Sequence, residues 1–107
     1  WHSPQFNLKM SEIWNVKPIE YDNKPIISDV PTLMLCGEYD HVCPPKYAQQ
    51  LAKGLKDSHI FIFEGMAHTE VAMSPCMPLM LNQFITDPSK APSDDCLKSL
   101  NKEFDLP

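Results

Sequence analysis

Two apolar runs, each closed by a glycine turn, constrain this chain more than anything else in it. Leu33-Met34-Leu35-Cys36 leads into Gly37-Glu38-Tyr39-Asp40, and Ile60-Phe61-Ile62-Phe63 leads into Glu64-Gly65-Met66-Ala67-His68. Unbroken apolar character over this length fits strands buried on both faces, as in a parallel sheet. Between them Pro44 and Pro45 stand at a first helical turn, where proline is tolerated, and Ala48, Leu51, Ala52 and Leu55 follow at i, i+3, i+4 and i+7. Lys53 and Lys56 fall in the last turns, where positive charge suits the helix dipole. A strand at about 32–36, a helix, and a strand at about 59–63 make a βαβ crossover, an α/β arrangement. Such a connection is right-handed and brings both strand ends to one edge of the sheet. Asp40 and His68, 28 residues apart, are therefore expected side by side.

The flanks are less regular. Pro4, Pro18, Pro25 and Pro31 break any long helix before residue 31, although Leu8, Met10, Ile13 and Trp14 allow a short helical turn. Residues 1–30 thus read as an irregular, proline-containing lead-in and 31–107 as the folded portion. Trp1 and Trp14 are expected to pack as anchors on a neighbouring surface, since nothing polar gathers around them. After His68, Met77, Met80, Leu81, Phe84 and Ile85 repeat with helical spacing and predict a helix over about 75–86 whose methionines fill a core. Asp87-Pro88 stops it, a loop rich in Pro, Ser and Asp follows, and Leu97, Leu100 and Phe104 suggest a short closing helix.

Composition narrows the function classes. A net charge of −5 and scattered lysines exclude a nucleic-acid partner, because phosphate binding needs clustered Lys and Arg. No apolar run approaches the roughly 20 residues of a membrane span, and no signal peptide is visible. The chain opens at Trp1 instead of Met, which favours reading it as a fragment of a longer protein. Of the four cysteines, Cys76 and Cys96 are the expected bonded pair, with two reduced thiols as the alternative. Closing that 20-residue loop is worth on the order of 3 kcal/mol. Cys36, Cys43, His41 and His68 have no paired metal-ligand spacing, so no metal and no cofactor is expected.

An Asp and then a His, each just past a strand end, is one of the orders in which a charge-relay site presents its acid and its base. The stretch from Pro31-Thr-Leu-Met-Leu-Cys-Gly-Glu-Tyr-Asp-His-Val-Cys-Pro-Pro to Ala48, then Glu64-Gly-Met-Ala-His68, then Cys76, Phe84 and Cys96, resembles the C-terminal domain of tripeptidyl-aminopeptidase-like α/β-hydrolases, relatives of prolyl aminopeptidases. The likeness runs from about Trp14 to Cys96. It implies the C-terminal part of an α/β-hydrolase fold and serine hydrolase chemistry on peptides or small esters and amides. It also implies export, which the cysteine pair favours as well.

Carried over residue by residue, Asp40 matches the acid of the triad and His68 its base. The nucleophile is another matter. A G-x-S-x-G elbow needs two glycines four residues apart, and the only glycines are Gly37, Gly54 and Gly65. The serine is expected upstream of Trp1, so the chain alone is expected to be inactive and to require the upstream part of the same hydrolase, or to associate with itself. The alternative is a non-catalytic interaction module descended from such a hydrolase. His41 and Cys43 read as loop residues around the site, and Glu38 and Glu64 as solvated turn acids ahead of a substrate-amine role. His2 and His59 have no partner in the pattern.

Overall fold

The computed structural model describes residues 4–15, 17, 20 and 24–100. Among them the elements run α1 (Pro4–Ile13), β1 (Thr32–Gly37), α2 (Pro45–Ala52), β2 (Ser58–Phe63), α3 (Glu70–Met73), α4 (Cys76–Thr86) and α5 (Asp95–Lys98). The strands are parallel and paired from Thr32 with Ser58 to Gly37 with Phe63, and α2 packs against both. This is the expected βαβ unit followed by a helix, with the limits of both strands and of α4 within a residue of those expected.

Side chains alternate across a strand, so register partners share a face. Leu35, Phe61 and Phe63 lie on one face and join a core with Val71, Cys76 and Met80. Phe63 and Met80 are 1% and 0% exposed, a burial worth about 1.5–3 kcal/mol each. The stripe on α4 is core on its inner side only. Met80 is sealed and Met77 and Phe84 are half-buried, whereas Leu81 and Ile85 face outward. His59, given no partner by the sequence pattern, stands edge-on to Phe84 with ring centroids 6.3 Å apart. Cys76 and Cys96 are joined in a disulfide that ties the start of α4 to α5.

Three expectations change. Burial of the strands on both faces holds on one: Thr32 to Cys36 are half-buried and Ile62 is exposed, because α2 spans eight residues and buries none of them. The second helix ends at Ala52 and does not reach Leu55. A Cβ on Gly54 would run into the Ile26 carbonyl, and Ser28 bridges this corner, donating from its amide to Gly54 O (2.9 Å) and accepting from the Lys56 amide (3.0 Å).

The third change is in the lead-in, where the helical turn expected around Leu8–Trp14 is a ten-residue helix. Pro4 begins it, where a missing N–H costs nothing, and Asn15 ends it at φ 49°, a left-handed cap that asparagine accepts. Leu8, Ile13 and Trp14 are all exposed, so among the described residues Trp14 is not an anchor. Trp1, His2 and Phe104 lie outside the described residues. The short α3 had no signal in the apolar pattern, and it brings Val71 into the core directly after His68.

Candidate active site

The crossover leaves the C-terminal ends of β1 and β2 adjacent, and the two loops that follow are laced together by their backbones. Glu38 N–H donates to Phe63 O (3.0 Å) and Tyr39 N–H to Met66 O (2.9 Å). Gly37 makes the approach possible. A Cβ at that position would stand 2.5 Å from Met66 O and 2.8 Å from Ala67 O, closer than any side chain tolerates. Gly65 supplies the reversal on the other side at φ 70°, and its amide donates to the Glu38 carboxylate (2.9 Å). Glu38, read as a solvated turn acid, is in fact part of the lacing between the loops.

Asp40 and His68 meet in this frame. Asp40 Oδ2 lies 2.8 Å from His68 Nδ1. Asp40 Oδ1 accepts from the amides of Val42 (2.9 Å) and Cys43 (2.7 Å), so both carboxylate oxygens are engaged and the plane of the group is fixed. The side chain is 7% exposed, whereas His68 is 45% exposed. Burial alone would push the Asp40 carboxyl up, but the Cys43 amide, the His68 ring and the Val42 amide outweigh it and hold the group below its ordinary value. An ionised carboxylate only accepts, so Nδ1 carries the proton and Nε2 is left as the basic nitrogen. A buried, hydrogen-bonded carboxylate behind a half-exposed imidazole of fixed tautomer can orient a general base and stabilise its protonated form.

The base is held from its own side as well. The Ala67 amide donates to the Glu70 carboxylate (2.6 Å) and the Glu70 amide to Ala67 O (3.3 Å), which bends the chain around His68 into α3. Glu64 is exposed and takes no part in this lacing.

Cys43, read as a loop residue around the site, comes closer to the pair than any motif announces. Cys43 is exposed, and a donor atom each from Asp40, Cys43 and His68 lie within 4.8 Å of one another. Asp-x-x-Cys with a distant histidine is not a ligand spacing that a linear reading detects; the tight turn that wraps Val42 and Cys43 around Asp40 creates it. Cys36, half-buried at the end of β1, is a poor thiolate: burial raises its pKa, and the charges of Asp40 and Cys43 raise it further. No described helix is long and apolar enough to cross a membrane.

Residues 6–96 match the family described as TAP-like protein, a family of the α/β-hydrolases. No curated protein and no solved structure matches the chain.

Proposed function

As the chain belongs to the TAP-like protein family of α/β-hydrolases, we propose that it supplies the acid and the base of a Ser-His-Asp triad, in a serine hydrolase acting on peptides or small esters and amides. The observation that carries this reading is the 2.8 Å contact between an Asp40 locked by two amides and a half-exposed His68. In this reading the nucleophilic serine belongs to the upstream portion of the same hydrolase. His68 Nε2 accepts the serine proton as the hydroxyl attacks the carbonyl carbon, and returns it to the leaving group when the tetrahedral intermediate collapses. Asp40 holds the Nδ1–H tautomer throughout and stabilises the imidazolium between those two transfers. The Cys76–Cys96 disulfide favours an exported protein, because such bonds persist in oxidising compartments.

A fluorophosphonate probe, which phosphonylates only an activated serine, tests the reading on this chain and on the chain carrying its upstream segment. Labelling of the longer protein alone is the expected result, with His68→Ala lowering its rate on the order of 10⁶-fold. A folded long form that stays unlabelled would leave Asp40 and His68 as inherited structure in an interaction module.

A further inference from the structure

We propose that Asp40, Cys43 and His68 form a Zn²⁺ site with one open coordination position, and that a bound ion takes His68 out of proton transfer. The site is a property of this chain, whereas its inhibitory effect rests on the triad reading above.

The donor set points to the ion. A thiolate, an imidazole nitrogen and a carboxylate oxygen suit zinc, while Mg²⁺ and Ca²⁺ call for oxygen ligands throughout. Among the described residues this is the one grouping of three or more such donors, and its atoms lie within 4.8 Å of one another. Zinc bonds of about 2.0–2.3 Å in a tetrahedron put ligand atoms about 3.3–3.6 Å apart. The His68–Asp40 contact of 2.8 Å therefore opens by about half an ångström on binding while Cys43 moves inward. Cys43 is exposed and His68 nearly half-exposed, so both side chains have room to rotate toward the ion.

The outer contacts are already in place. Asp40 Oδ1 is held by the Val42 and Cys43 amides, which orients the carboxylate as hydrogen bonds around metal sites do. Three protein ligands leave the fourth tetrahedral position open.

The consequence for catalysis does not depend on which imidazole nitrogen binds. Coordination through Nδ1 removes the hydrogen bond to Asp40, and coordination through Nε2 occupies the lone pair that would accept the serine proton. Either way His68 ceases to be a base. Cys43 is then a side chain with no part in the hydrolytic step that nevertheless sets the sensitivity of that step to zinc.

Cobalt makes the site visible, because a thiolate bound to Co²⁺ gives an intense near-ultraviolet charge-transfer band. Co²⁺ titrated into the full chain, with the disulfide intact, should raise this band to saturation at one equivalent, and Zn²⁺ should displace it. Cys43→Ser and Cys43→Ala both keep the amide that binds Asp40; each should lose the band with an unchanged circular dichroism spectrum. Cys36→Ser should retain it, and His68→Ala should weaken cobalt binding at least tenfold. Absence of the band from the wild-type chain, or its persistence in both folded Cys43 variants, overturns the site. In the serine-bearing form, Zn²⁺ should slow fluorophosphonate labelling reversibly to EDTA, with at least tenfold more zinc needed in Cys43→Ser. Labelling that proceeds unchanged with zinc bound overturns the inhibitory role, and a cobalt band in a protein that never labels leaves the site standing while the triad reading fails.

Discussion

The two loops at the strand ends carry complementary residues but are held in different ways. The acid loop is fixed from within: Asp40 is buried, three hydrogen bonds converge on its carboxylate, and Gly37 at its root touches the opposite loop. The base loop is fixed from outside. Gly65 turns in open space, its amide is tied to Glu38 on the other loop, and His68 stays half-exposed. The acid is thus the rigid partner and the base the adjustable one, a division suited to a histidine that must gain and lose a proton while its carboxylate stays still.

The sharpest way to break that asymmetry is Asp40→Asn in the complete hydrolase. The amide can still accept from Val42 and Cys43, but it can present its NH₂ to Nδ1 and reverse the tautomer, so labelling should slow about 10⁴-fold with little loss of fold. A loss of tenfold or less would remove the acid from the mechanism. Next in size, Cys76→Ser with Cys96→Ser should lower the unfolding free energy by about 3 kcal/mol in urea titration while the Asp40–His68 contact persists. That variant separates the stability of the α4–α5 end from the geometry of the loops.

Gly37→Ala and Gly65→Ala compare the loops directly. At Gly37 the added carbon meets two carbonyl oxygens of the opposite loop, so about 2 kcal/mol should be lost and His68 drawn away from Asp40, visible as a changed Nδ1 proton resonance. At Gly65 nothing lies within 4 Å and only the positive φ resists, so the cost should be about 1 kcal/mol with the resonance kept. Equal effects at the two positions would dissolve the distinction between a fixed loop and a tethered one.

How far the sequence could be read follows the range of the forces involved. The parallel pair, α4 and the meeting of Asp40 with His68 were legible because apolar period and crossover handedness act on every residue of those runs. Less legible were features set by contacts between distant segments. The end of α2 depends on the Ile26 carbonyl reaching Gly54, and no propensity within Ala48–Leu55 records that. The half-open strands depend on how much surface eight residues of α2 cover. The length of α1 was not legible because Leu8, Ile13 and Trp14 seek no core, so the expected turn gave no hint of it. Cys43 was legible as a loop residue around the site, but not its approach to His68, because a turn, not a spacing, brings it there.

The disulfide also decides how load passes through the molecule. A pull along the chain crosses from Cys76 to Cys96 through the sulfur bridge, so most of α4 and the loop behind it never carry tension. Stretched in the oxidised state, the protein should extend about 65 Å less than after reduction, the reach of 20 residues less the 5.6 Å between the bridged Cα atoms. Met80 lies within that shielded segment, whereas its core partners Phe63 and Val71 lie outside it and bear the load.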